Sequence, residues 1–255
     1  MTTFTYDATD KRSTNSLIGR VYGYMFIALL LTAIIAIGVG LLFNYWIFGT
    51  FAISENLGNI ESINGAGVVT LFIVLGISSI TLLITSFVVH FRSFSERKSV
   101  KIPALIYMIS MGLMLSSLVI FVPWPVLGIT FAITAGIFGI MFLISYVSKG
   151  SLNSLGIIGI GLFIGAGILS LIGWIFSLTG FLGAYLNLYW IISLLVFAAI
   201  MFVTIWDMWR IKKIAEQGEM SENLTLYCAF ILYVDFIYLF LRVLRIVSYF
   251  YSRRS

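Results

Sequence analysis

Charge is scarce in this sequence. Its 255 residues include fifteen Lys and Arg and ten Asp and Glu, 10% of the chain. Soluble globular domains carry about 25%, because a water-facing surface must be solvated. With 61% hydrophobic residues, a water-soluble globule is excluded and a membrane protein is expected. The single cysteine, Cys228, excludes an internal disulfide and leaves the redox compartment open. It lies in an apolar run, where a packed, inert thiol is expected. The only histidine, His90, stands beside a basic stretch, so there is no His/Cys metal cluster. Neither a P-loop nor a G-x-G-x-x-G in strand–helix context occurs. ATP or NAD driving is therefore not expected, nor any other cofactor. No lysine lies in the last apolar run, which excludes a retinal Schiff base there. The first apolar run is too long for a signal-peptide core and no A-x-A-like site follows it, so it reads as a retained helix. The net charge of +5 is scattered between apolar runs rather than gathered on one face. Nucleic acid is thus not an expected partner, and the charges report topology instead.

What the sequence has in abundance is long apolar runs. A helix needs roughly 20 apolar residues to cross about 30 Å of hydrocarbon. Seven runs meet that length: approximately 21–43, 68–89, 102–121, 126–147, 155–176, 186–206 and 224–246. Pro123 and Pro125 in "VPWP" separate the third from the fourth, since proline lacks the amide donor and clashes with the preceding turn. Residues 1–16 form a polar tail, and no soluble domain is expected. The fold class is an all-α membrane protein of one multi-pass domain, with the lipid bilayer as its first partner.

Lys and Arg set the orientation. Lys11, Arg12 and Arg20 precede the first run; Arg92, Arg97, Lys98 and Lys101 lie between the second and third. Lys149 follows the fourth, and Arg210, Lys212 and Lys213 follow the sixth. The alternate connections contain no Lys or Arg, and one holds Glu55 and Glu61. By the positive-inside rule the N-terminus is cytoplasmic. Arg242, Arg245, Arg253 and Arg254 run against this pattern: either the last helix crosses fully and its end violates the rule, or it is partly re-entrant. Orientation is usually settled by the earlier loops, which favours a full crossing. A prokaryotic plasma membrane is the expected location, with the endoplasmic reticulum second.

In the fifth run, "GIIGIGLFIGAG" places Gly161 and Gly165 at GxxxG spacing, with Gly156, Gly159 and Gly167 nearby. Glycine lets helix backbones approach closely in lipid, so these positions are expected to pack helices. Tyr185, Tyr189 and Trp190 read as interfacial anchors.

Two carboxylates do not belong to the loop pattern. Asp235, in "LTLYCAFILYVDFIYLFLR", lies eleven residues past Leu224, about 16 Å along a helix rising 1.5 Å per residue. Asp207, in "TIWDMWRIKK", lies near the end of the sixth run. An ionised carboxylate at mid-membrane costs a few kcal/mol or more, so it faces a bundle interior, a wet cavity or a partner. Two carboxylates sharing a site tend to hold one proton between them and titrate as a pair. Such a pair is a proton switch, or a transient calcium site when both are ionised. Local neutralisation is the alternative. Asp207 has Arg210 at i+3, and Asp235, Tyr238 and Arg242 fall at i, i+3 and i+7 on one face. Arg242 could equally snorkel to a headgroup. The separate depths of the two aspartates require a tilted last helix or a deep sixth one. An intramembrane aspartyl protease is the enzyme alternative, but its GxGD motif is absent: Asp235 follows "LYV" and Asp207 follows "TIW". No enzyme activity is expected.

These residues also carry a family resemblance. "TAGIFGIMFLISYVSKGSLNSLG", "WDMWRI" and "LYVDFIYLFLRVLRI" resemble successive motifs of the Bax inhibitor-1 family, in order from the fourth helix to the last. The resemblance implies six helices around a central C-terminal seventh. It also implies a pH-sensitive calcium leak whose sensor is the pair Asp207 and Asp235. A basic residue at the inner end of the second helix, Arg92 or Arg97, would lock that pair in the closed state; Arg210 and Arg242 are the other candidate latches. Ser151, Met208, Trp209 and Tyr238 depart from the family pattern, with fewer polar groups expected beside Asp207. A non-conducting regulator acting through other membrane proteins, in proteolysis or cell death, is the rival function.

Overall fold

In the computed structural model every described element is a helix. The structure describes residues 3–48, 64–93, 99–148, 150–178, 182–217 and 221–253. The order is α1 (Thr3–Phe48), α2 (Gly65–Ser93), α3 (Lys101–Phe121), α4 (Trp124–Val147), α5 (Asn153–Leu178), α6 (Leu182–Glu216) and α7 (Glu222–Ser252). All seven are long and apolar enough to cross a membrane, so the chain is an integral multi-pass membrane protein. Glu55, Glu61, Arg97, Lys98, Lys149 and Arg254 lie outside the described residues, as do the side chains of Lys11, Arg12, Tyr185 and Tyr189.

Local chemistry explains where helices start and stop. Asn64 accepts the Ala66 amide on Oδ1 at 3.2 Å, satisfying one of the orphan donors of the first turn of α2. Ser221 does the same for α7, its Oγ accepting the Leu224 amide at 3.2 Å, and Glu222 adds a favourable negative charge to that first turn. Between α3 and α4, Val122 is extended (φ −114°, ψ 130°), as a residue before proline prefers. Pro125 then sits in the first turn of α4, where its missing N–H costs nothing. Helices also outrun the apolar stretches: the polar N-terminal segment is helical from Thr3, and α6 continues to Glu216.

The chain divides into two compact units. One comprises residues 15–129 with 219–233, namely most of α1, all of α2 and α3, and the first part of α7. Its helices meet at small residues. A Cβ on Gly40 would lie 2.7 Å from Val119, and one on Gly112 would lie 2.8 Å from Ile35, so α1 and α3 approach through a glycine on each. At the far end of α1, Ile47, Leu71 and Ile120 form an apolar cluster. Deeper in, the Thr32 and Tyr233 hydroxyls share a hydrogen bond of 2.8 Å. The Tyr107 ring stands edge-on to Phe230, with centroids 4.9 Å apart. An exposed ion pair at 2.7 Å joins Lys101 to Glu222.

The other unit comprises residues 1–14, 130–218 and 234–255. Here Phe131 and Phe138 of α4 pack on Phe236 of α7 at 5.8 and 5.3 Å between centroids. A Cβ at Gly156 would meet the Trp206 indole at 2.6 Å, and one at Gly159 would meet Val203 at 2.8 Å. Gly156 and Gly159, continued by Ala166 and Gly173, form the buried edge of α5. The GxxxG pair is the correction here. Nothing lies within 4 Å of a Cβ at Gly161, Gly165 or Gly167, so the glycines that bring α5 onto α6 are the earlier two. Lys212 of α6 donates Nζ to the Tyr146 carbonyl at 2.6 Å, satisfying one of the orphan acceptors in the last turn of α4.

Outward faces carry large apolar side chains, such as Phe91 at 75% exposure and Ile157 at 72%. In a membrane these faces meet lipid. Half of the most apolar window of α7 is buried, against 17% for α2 and α5. The helix that carries Asp235 is the most enclosed of the seven.

Candidate functional site

Asp207 and Asp235 belong to the same unit. Each lies well inside its helix. Asp207 lies nine residues before the end of α6 at Glu216, and Asp235 thirteen residues after the start of α7 at Glu222. At 1.5 Å per residue these are about 14 Å and 20 Å from the ends that face the 217–221 connection. The apolar run had ended at 206, which put Asp207 at a helix terminus. The helix continues nine residues beyond it, so Asp207 lies inside α6 rather than at its end, within the stretch Trp190–Glu216 that is long and apolar enough to cross a membrane.

The Asp207 side chain is buried. Asp235 retains partial exposure as a residue, yet its Oδ2 atom is sealed from solvent and has no hydrogen-bond partner. Asp207 lies within electrostatic reach of it, and Thr204 lies beside it. The approach of Thr204 falls short of hydrogen-bond geometry, for its Oγ1 is also buried and unpartnered. This hydroxyl is unusual among its kind. Thr70, Thr81, Thr134, Thr225 and Ser79 all donate back to the carbonyl four residues earlier, the ordinary fate of a helical Ser or Thr in an apolar setting. Thr204 does not. A third buried polar atom without a partner, the indole Nε1 of Trp209, lies two residues beyond Asp207. The replacement of polar side chains by Met208 and Trp209 therefore still leaves one N–H donor on this stretch.

Of the candidate latches, Arg210 is the cation whose charge reaches Asp207. It forms no ion pair with it: the guanidinium lies over the Trp206 ring, 5.4 Å from the centroid, and the Trp206 indole donates to Asn153 at 3.3 Å. Arg92 lies in the other unit and donates Nη1 to the Ser99 carbonyl at 3.4 Å. Arg97 is outside the described residues. Arg242 is half-buried, seven residues beyond Asp235 on α7. Tyr238, expected on the same face as Asp235 and Arg242, is 49% exposed.

A proton is the natural ligand of this arrangement. A buried carboxylate oxygen without a donor is costly when charged, and the hydroxyl next to it can donate to the ionised form or accept from the protonated one. As a metal centre the pair is sparse. Among the described residues no group of three or more His, Cys, Asp or Glu side chains converges, so a hard cation held here would keep most of its water. Sequence reasoning singled out both aspartates, which lie in one unit, and passed over Thr204, whose signal was its place at i−3 from Asp207 on the same helix face.

The family model described as inhibitor of apoptosis-promoting Bax1 matches residues 14–253. The chain is 29% identical over 234 residues to the uncharacterized protein RP147 of Rickettsia prowazekii, covering 90% of this chain and 87% of that protein. It is equally 29% identical over 238 residues to the inner membrane protein YbhL of Escherichia coli K12, covering 89% and 88%. No solved structure matches.

Proposed function

The chain belongs to the Bax inhibitor-1 family, and from that premise we propose that it is a passive calcium-permeable leak gated by protons at Asp207 and Asp235. The observation that carries this reading is the sealed, unpartnered Oδ2 of Asp235 in the most enclosed helix, within reach of a second buried carboxylate. Hydrocarbon disfavours charge on such a group, whereas a passing cation or an approaching guanidinium favours it. The protonation state of the pair therefore biases where α7 rests, a two-state element driven by local electrostatics. Arg210 and Arg242, in the same unit as the two aspartates, are the candidate cations that hold the closed state, and Arg92 or Arg97 is the latch that the family resemblance implies. Calcium is the permeant ion, no cofactor takes part and there is no catalytic turnover. The location is a prokaryotic plasma membrane with the N-terminus in the cytoplasm, in keeping with an inner membrane relative.

Purified protein in liposomes loaded with a calcium dye tests the reading. Asp235→Asn keeps the size and removes the titration, so calcium flux loses most of its pH dependence. Asp207→Asn does the same, and the double variant adds little to either single one, because the two act as a unit. An unchanged pH profile in Asp235→Asn makes the aspartate structural. Wild-type flux no greater than that of empty liposomes across the pH range favours instead a non-conducting regulator of other membrane proteins.

A further inference from the structure

Arg245 and Arg253, at the end of α7, take no part in that mechanism, and with Arg242 and Arg254 they are the charges that defy the loop pattern. Arg242, Arg245 and Tyr249 lie at i, i+3 and i+7, within an arc of about 60° on one helix face at 100° per residue, and Arg253 follows one residue past the end of the helix at Ser252. Tyr249 organises the group. The Arg253 guanidinium lies over its ring, 4.7 Å from the centroid, and Trp190 of α6 packs against it at 4.6 Å, edge to face. Phe250 and Tyr251 beside them are 61% and 45% exposed, and Arg245 is exposed as well. Arg253 makes no ion pair among the described residues.

Three features identify what this end receives. At 1.5 Å per residue Arg245 and Tyr249 lie about 35 and 41 Å from the start of α7 at Glu222, beyond the roughly 30 Å of a hydrocarbon core, so the cluster fits the headgroup layer that Trp and Tyr favour. A guanidinium stacked on a ring uses its face and leaves its in-plane N–H donors directed outward, the geometry that grips a phosphate by two oxygens. The exposed rings beside it are surfaces for acyl chain and glycerol rather than for water. We propose that the C-terminal end of α7, with Trp190, is a binding site for the phosphodiester headgroup of an anionic phospholipid. Arg253 and Arg245 hold the phosphate, and Tyr249 sets the orientation of Arg253. A bound anionic lipid also explains why four arginines are tolerated at a helix end that the other loops assign to the less basic side.

Native mass spectrometry of the full chain tests this, with protein released from nanodiscs of phosphatidylcholine and phosphatidylglycerol in equal parts. The wild type is expected to retain phosphatidylglycerol in preference to phosphatidylcholine. Arg253→Gln lowers the retained phosphatidylglycerol about threefold or more, and Arg245→Gln/Arg253→Gln lowers it further. Tyr249→Leu, which leaves every charge in place, also lowers it, as bulk attraction to an anionic membrane does not require. Should Tyr249→Leu fail to accumulate, Arg253→Lys takes its place, with a partial loss expected because the charge stays and the stacked fork goes. Wild-type retention in Arg253→Gln and in the charge-preserving variant overturns the site. So does displacement of the lipid by millimolar inorganic phosphate, which would make it a soluble-anion site. Neither result bears on Asp207, Asp235 or calcium flux.

Discussion

Buried hydroxyls in this protein fall into two groups, and the difference has measurable consequences. Thr32 spends its hydroxyl on Tyr233, both side chains being almost wholly enclosed. Interhelical hydrogen bonds in membranes contribute about 0.6 kcal/mol on average and up to roughly 1.7. Thr32→Val should therefore lower stability by about that much in a thermal unfolding assay in detergent, and Tyr233→Phe by a similar amount. In a double-mutant cycle the two losses should not add. Thr204 forms no such bond. Thr204→Val keeps the shape and should leave stability within about 0.5 kcal/mol. It also removes a hydroxyl beside Asp235, so on the proposed function the pH profile of calcium flux should move while Thr204→Ser stays close to wild type. Superimposable profiles for Thr204→Val and wild type would show that the hydroxyl takes no part in gating.

At the scale of elements, α5 and α6 show how membrane helices choose their faces. Lipid is as apolar as leucine, so no hydrophobic force selects the inward side, and close van der Waals packing does. Gly156 and Gly159 provide it against Trp206 and Val203. Adding even a methyl group there overfills the contact, which typically costs 1–3 kcal/mol. Gly156→Ala and Gly159→Ala should each lower the unfolding temperature. Gly161→Ala meets nothing within 4 Å and should be neutral or slightly stabilising, since alanine is the better helix former. Equal destabilisation by all three would mean that α5 presents a different face to α6. Under the proposed leak function, the Trp206 contact also bears on gating. The same indole carries Arg210 and lies one residue before Asp207, so loosening Gly156 should also alter the gating profile.

The whole molecule is defined by how its seven helices thread the bilayer. From the distribution of Lys and Arg, the connection with Glu55 and Glu61 is expected to lie opposite the one with Lys98. Single cysteines at positions 58 and 98 should react with a membrane-impermeant maleimide from opposite sides of intact cells. The native thiol creates little background, because Cys228 is buried. Labelling of both positions from one side would overturn the topology. A cysteine at position 255 tests the last crossing, and with seven crossings it should react from the same side as position 58.

Some of this architecture was readable without coordinates. Scarce charge, seven runs of sufficient length, and the isolation of Asp235 and Asp207 among apolar residues are one-dimensional facts. Hydrocarbon constrains them strongly: it demands about 20 apolar residues per crossing and penalises every charge inside. The pairing of helix faces was not readable, because the periodicity that marks a buried face in water vanishes when both faces are apolar. The GxxxG spacing thus pointed to Gly161 and Gly165, whereas the contact belongs to Gly156 and Gly159. The place of Asp207 inside α6 rather than at its end was hidden for a related reason. Helices do not stop where hydrophobicity stops, and α6 runs ten residues past its apolar run to Glu216. Whether a buried oxygen finds a donor is decided by neighbours remote in sequence. The tertiary structure alone brings Thr204 to the side of Asp235 and leaves both oxygens without a hydrogen bond.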